Sequence, residues 1–241
     1  MRASVLGCPV DVVGMATAVN CLAALVDAGR RGAPPALVVT LNPEFVMRYR
    51  RDPGFAAVVR RAVLILPDGI GVVKALRRRG HPNADRVTGV DLLENYAVVA
   101  AERGHRVALI GARPGVAARA AAALRRRAPR LEVVVADAGD PVPDTVALVA
   151  AARPDVVCAA YGAGRQEQWL DANLAAMGAA VGIGVGGSLD FLAGEVRRAP
   201  GAVRRAGLEW AWRLFGQPQR VRRQAVLPVF WWLERRQARR R

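Results

Sequence analysis

Short, almost continuously apolar runs alternate with amphipathic stretches along this chain. The runs cover 36–40, 62–66, 106–110, 132–135, 155–159 and 180–184, and they are rich in Val, Ile and Leu. A strand that is apolar on both faces belongs in a sheet covered on both faces, and such sheets are mostly parallel. Between the runs, a 3.6-residue period predicts helices over 17–28, 43–51, 70–79, 90–103, 116–127, 144–153 and 166–177. The alternation predicts an α/β fold: a Rossmann-like, mostly parallel sheet with helices on both faces. Ligands of such sheets bind beyond the carboxyl ends of the strands. Asn42, Asp68, Gly111, Gly162 and Gly187 stand at those ends.

The pattern changes near Arg197. After Pro200 a helical stretch covers 202–215, then Pro218 precedes a final basic helix. Two units are expected: an α/β core at 1–195 and a basic helical appendage at 196–241. The 241-residue chain carries a net charge of +16, and +11 of it falls within 197–241, which has 13 arginines and two acids. Such a charge implies a polyanionic partner: nucleic acid, anionic lipid or a phosphorylated substrate. The appendage also holds the apolar run Ala225-Val-Leu-Pro-Val-Phe-Trp-Trp-Leu233, flanked by arginines and too short to span a bilayer. Phe230, Trp231 and Trp232 are expected at a lipid–water interface, with arginines on anionic head groups. The alternative is that these rings pack on the core. The N-terminus lacks the apolar core of a signal peptide. Cys8, Cys21 and Cys158 form no C-x-x-C pair and are read as reduced and buried. The expected location is cytoplasmic and peripheral, on the inner face of the plasma membrane.

Four segments hold candidate chemistry. In Thr40-Leu-Asn42-Pro43-Glu44, polar groups at a strand end face a possible sugar hydroxyl, or simply cap the next helix. In Leu66-Pro67-Asp68-Gly69-Ile70-Gly71, a carboxylate beside glycines is either a general base or another cap. In Gly162-Ala163-Gly164-Arg165-Gln166-Glu167, a glycine turn enters a helix start that can hold phosphate, with Gln166 in reach of a sugar. Gly182-Ile-Gly184-Val-Gly186-Gly187 fits G-x-G-x-x-G. It falls late in the chain, and 204–207 lacks the acid that a dinucleotide ribose requires. Asp190 stands three residues further on and is a ribose candidate. Two other classes stay open on the residues alone: a basic nucleic-acid-binding module, although no reading motif accompanies the charge, and an NAD-dependent dehydrogenase resting on the late glycines.

Taken together the motifs resemble the WecG/TagA/CpsF family of glycosyltransferases. The resemblance runs through Thr40-x-Asn42-Pro43-Glu44, Asp68-Gly69-x-Gly71-Val72, Arg86-x-x-Gly89-x-Asp91 and Gly111-x-x-Pro114-Gly115. It continues through Gly162-x-x-x-Gln166-Glu167-x-Trp169, Gly184-Val185-Gly186-Gly187-x-x-Asp190-Phe191, Arg198-Ala199-Pro200 and Gly207-Leu208-Glu209-Trp210. It implies an inverting, metal-independent enzyme that moves N-acetylmannosamine or a related hexose from a UDP-sugar onto an undecaprenyl-diphosphate-linked sugar, in cell-surface polysaccharide or teichoic acid synthesis. It implies no cofactor, no metal site and no nucleic-acid partner, and it allows a homo-oligomer. The resemblance makes Asp68 the base and puts Thr40, Asn42, Arg86 and Gln166 in the pocket. It assigns Gly111, Pro114, Gly115, Gly162, Gly186, Gly187, Asp190 and Phe191 to the donor nucleotide. Arg213, Arg220 and Arg223 of the appendage would meet the diphosphate. Relatives often have Pro where this chain has Gly164, which predicts a looser turn here. The chain contains no Asp-x-Asp motif.

Overall fold

The computed structural model describes residues 1–137, 139–205, 209–216 and 221–238, without the side chains of 137, 204, 205, 213, 215, 222 and 223. Two short strands, β1 (Arg2–Val5) and β2 (Cys8–Asp11), open the chain as an antiparallel hairpin. The chain then alternates: α1 (Met15–Arg30), β3 (Ala36–Leu41), α2 (Pro43–Tyr49), α3 (Pro53–Arg61), β4 (Leu64–Pro67) and α4 (Ile70–Arg78). Next come α5 (Gly89–Arg103), β5 (Arg106–Gly111), α6 (Val116–Arg127), β6 (Glu132–Asp137), α7 (Pro143–Ala152) and β7 (Val156–Ala160). The chain continues through α8 (Arg165–Asn173), β8 (Val181–Gly184) and α9 (Ser188–Leu192). Beyond these lie α10 (Gly201–Arg205), α11 (Glu209–Gly216), α12 (Val221–Gln224) and α13 (Val226–Ala238).

Six strands form one sheet in the order β4-β3-β8-β7-β5-β6. Every pairing in it is parallel. Each apolar run read from the sequence is a strand of this sheet. The two faces carry two cores. One contains Val39, Leu41, Phe45, Phe55, Ile65, Leu76 and Leu170; the other contains Leu22, Val38, Leu92, Tyr96, Leu109 and Leu124. Alternate residues of β3 serve opposite cores, as the pleat requires. At roughly 25 cal/mol per Å² of buried apolar surface, this two-sided burial is the dominant favourable term for the sheet.

Local chemistry sets the helix starts beside the sheet. The Asn42 side chain accepts the Phe45 N–H at 3.0 Å, with Pro43 in the first turn, so α2 begins where β3 ends. Asp52 and Pro53 repeat the device for α3, with Asp52 accepting the Phe55 N–H at 2.9 Å. The helix expected over 43–51 therefore stops at Tyr49, and α3 follows it. The stretch expected over 202–215 contains α10 and α11, with 206–208 outside the described residues. In the N-terminal hairpin, Leu6 and Gly7 take positive φ of 52° and 86°, the requirement of a tight two-residue turn. Asp11 of the hairpin pairs with Arg2 and accepts the Ile65 N–H of β4 at 2.8 Å.

Candidate active site

Above the carboxyl ends of the strands lies a cavity of about 350 Å³. Its wall draws on the ends of β3 (Thr40, Asn42), β4 (Asp68, Gly69), β5 (Ala112), β7 (Ala160, Gly162) and β8 (Val185, Gly186, Gly187). Gln166 of α8 and Arg86, just before α5, join them, so Thr40, Asn42, Asp68, Arg86 and Gln166 share one cavity. Asp190 lines the same space.

Each polar group is fixed by its own element. Thr40 is buried and donates to the Gly184 carbonyl at 3.2 Å, which ties β3 to β8 at the cavity floor. Asn42 caps α2 and lines the cavity at once, so the cap and pocket readings coexist. Asp68 directly follows β4, and its N–H donates to the Leu41 carbonyl at 3.0 Å. The cap position of α4 belongs to Gly69, which leaves Asp68 one residue outside it. Gln166 is almost fully buried, and its Nε2 donates to Glu167 at 2.7 Å.

The Gly162–Gly164 turn corrects the expectation of looseness. Gly164 adopts φ of 83°, a conformation closed to proline. Its N–H donates to Glu167 at 2.7 Å, a bond that proline cannot make. Arg48 donates to the Ala163 carbonyl at 2.9 Å and lies so close that a Cβ on Gly164 would overlap it. The turn is thus held from both sides.

Glu167 is fully buried, and burial pushes its carboxyl from the ordinary 4.5 up to about 7, against the opposing pull of Gln166, the Gly164 N–H and Arg48. A raised acid favours the folded state most below 4.5, and that contribution is lost as pH rises from 4.5 through about 7. The amount is about 3 kcal/mol. Urea midpoints of Glu167→Gln should therefore fall less steeply across this window than those of the natural protein. Identical slopes would show that Glu167 does not titrate there.

The segment after Arg197 closes the cavity. Glu209 at the start of α11 forms an ion pair with Arg86. Arg198 grips Asp91 with two bonds of 2.7 and 3.0 Å, while Thr88, the cap of α5, donates to the same carboxylate at 2.6 Å. Glu209, Trp210, Gln224, Leu227 and Trp231 line the cavity. Helix α13 packs on α2 and α4. Here the expected lipid-facing triplet divides. Phe230 is 0% exposed and sits in the core, which corrects its assignment to the membrane. Trp231 turns to the cavity, and Trp232 is 57% exposed. Gly71 explains the inward turn: a Cβ there would lie 2.7 Å from Pro43 Cγ and 3.1 Å from the Phe230 ring. Glu234, fully buried one helical turn on, pairs with Arg78 and with Arg79, the latter at 2.6 Å.

Other expected residues fall elsewhere. Gly111, Pro114, Gly115 and Phe191 are outside the cavity lining, whereas Gly162, Gly186, Gly187 and Asp190 belong to it. Gly115 serves as the cap of α6. Arg220 lies outside the described residues, and so do the side chains of Arg213 and Arg223. Thr88, Ser188, Glu209, Trp210 and Gln224 were not singled out as pocket residues, although Glu209 and Trp210 stood in the quoted motifs. Among the described residues, no group of three or more His, Cys, Asp or Glu is placed to hold a metal ion. Among them, too, no helix is long and apolar enough to cross a membrane.

The sequence model described as "Glycosyl transferase WecG/TagA/CpsF family" matches residues 3–241. A relative from Bacillus spizizenii is 34% identical over 197 residues, covering 81% of this chain and 77% of its own. One from Staphylococcus aureus strain MW2 is 31% identical over 195 residues, covering 80% and 77%. Both are named N-acetylglucosaminyldiphosphoundecaprenol N-acetyl-beta-D-mannosaminyltransferase. The parallel sheet, the cavity at its strand ends and these matches make the chain a glycosyltransferase. It belongs to the WecG/TagA/CpsF family.

Proposed function

We propose that the chain moves a hexose of the N-acetylmannosamine type from a UDP-sugar to a polyprenyl-diphosphate-linked sugar, with inversion and without a metal ion. The observation that carries this reading is the convergence of Thr40, Asn42, Asp68, Arg86 and Gln166 on one cavity. The names of the relatives support the lipid-linked acceptor.

In this mechanism Asp68 takes the proton of the acceptor hydroxyl as its oxygen attacks the anomeric carbon. UDP departs from the opposite face, which inverts that carbon. Two phosphates must be neutralised as the bond breaks. Guanidinium groups fork onto phosphate oxygens, and we assign this work to Arg213, Arg220 and Arg223 in the appendage at 196–241. The lack of Asp-x-Asp in the sequence supports an arginine solution. Gly162, Gly186, Gly187 and Asp190 would face the donor nucleotide.

The acceptor lies in a membrane, and the appendage suits its surface. Trp210, Trp212, Val229 and Trp232 are 44, 41, 39 and 57% exposed; Arg235 and Arg236 are exposed too, and the Arg236 guanidinium lies over the Trp232 ring. Indole rings and arginines together favour the interface of an anionic leaflet. We assign the enzyme to the inner face of the plasma membrane, a reading these exposed groups support.

A transfer assay with a panel of UDP-sugars and lipid-diphosphate acceptors, run in EDTA, tests the reading. We expect the rate in EDTA to match that in added magnesium, and the product to have the opposite anomeric configuration to the donor. A rate abolished by EDTA and restored by magnesium would refute the metal-free mechanism; a retained configuration would refute inversion.

A further inference from the structure

Gln166 presents an unusual imbalance. Its side chain lines the cavity and is almost fully buried, yet only one end is satisfied. Nε2 donates to Glu167 Oε1 at 2.7 Å, while Oε1 has no hydrogen-bond partner among the described residues. That oxygen lies beside the Gly186 turn, on the cavity wall. Burying a carbonyl oxygen without a partner is costly, so its retention calls for a ligand group.

The orientation of the amide is set from below. Glu167 accepts two bonds, one from the Gly164 N–H at 2.7 Å and one from Gln166. Only a carboxylate offers an acceptor oxygen to each. A carboxamide has one oxygen, so it would satisfy one donor and oppose the other. The pair is clamped in place: a Cβ on Gly184 would overlap Glu167 Oε1, and Arg48 covers the turn from the other side.

We propose that Glu167 is a positioning residue that turns the Gln166 carbonyl oxygen toward the cavity, as acceptor for a hydroxyl or amide N–H of the donor's sugar. This rests on the UDP-sugar reading above and goes beyond it by assigning the sugar-facing acceptor and the group that orients it. When Glu167 is protonated, its O–H becomes a donor toward Gln166. The Gln166 amide then turns over and presents N–H to the ligand. The raised Glu167 carboxyl, near 7, puts this exchange within a testable pH range. The charged group facing Glu167 is Arg48 of α2, which is itself paired with Asp52 at the start of α3; the adjoining strands β7 and β8 are apolar.

Calorimetric titration of the full-length protein with a UDP-N-acetylhexosamine, and with UDP alone, between pH 5.5 and 8.5 tests this. The natural protein should bind the UDP-sugar about tenfold more tightly at pH 8.5 than at 5.5. Glu167→Gln should be about tenfold weaker at pH 8.5 and flat with pH. Gln166→Met keeps Glu167 and removes only the acceptor; it should show the same loss and the same flatness, and it serves where Glu167→Gln fails to fold. UDP alone should bind all three proteins equally. A natural pH dependence retained in Gln166→Met overturns the inference, and so does an equal loss of UDP alone, which would put the contact on the nucleotide. Failure of the natural protein to bind any UDP-sugar overturns the donor reading itself, and the inference with it.

Discussion

Asp68→Asn should lower turnover about a thousandfold while leaving UDP-sugar affinity within about twofold. Asparagine has the same shape but cannot take a proton at neutral pH. The backbone at this position does not depend on the carboxylate: the Asp68 N–H is held by the Leu41 carbonyl, and α4 starts from Gly69. The substitution therefore removes the proposed base and keeps its frame. Saturating steady-state rates and a binding titration separate the two quantities. Turnover within about tenfold of the natural protein would remove Asp68 from the role. A matching collapse of UDP-sugar affinity would make it a binding residue.

Phe230→Ala should release α13 and lower transfer at least tenfold, with the core still folded. Deleting a fully buried Phe costs about 3–5 kcal/mol. That cost falls on the docking of one helix on α2 and α4, because Phe230 is the fully buried aromatic by which α13 enters the core. Released, the helix withdraws Leu227 and Trp231 from the cavity wall. It also separates Glu234 from Arg78 and Arg79, so these ion pairs are lost with the helix. Proteolysis of 226–238 under native conditions should rise, while the urea midpoint of the remainder holds. Trp232→Ala provides the contrast. Its ring is 57% exposed, so it should leave stability unchanged and weaken binding to anionic vesicles. An active Phe230→Ala whose 226–238 segment is cleaved readily would show that α13 does not complete the site, and a protease-resistant one would show that Phe230 does not hold the helix.

The sheet was legible because each of its strands is buried on both faces, which leaves a near-continuous apolar run. The hairpin was not, since β1 and β2 are four residues each and mix polar with apolar positions. Helix α3 was signalled by Asp52-Pro53, a cap followed by a first-turn proline, yet the helical reading stopped at 51 and left 53–61 without an element. The site divides on similar lines. Asn42 and Asp68 stood out because a polar residue directly after an apolar strand is conspicuous, and strand ends converge in this fold. Glu209, Trp210 and Gln224 reach the cavity from a segment whose position no periodicity fixes. Phe230, Trp231 and Trp232 look alike as sequence; only the narrow gap left by Gly71 and Pro43 decides which ring turns inward. Glu167 was read as part of a turn motif, and its second bond appears only once the turn is folded.

The hairpin bears on the chemistry in a further way. β4 is the outermost strand on its side of the sheet, and outermost strands fray and recruit stray partners. Asp11 occupies the Ile65 N–H, three residues before Asp68, and so denies that site to another chain. The carboxylate we propose as the base thus sits at the end of a strand that the N-terminal hairpin braces. Bulky N-terminal fusions, or trimming of β1, should be felt as lost activity and as self-association, even though no residue of the hairpin lines the cavity.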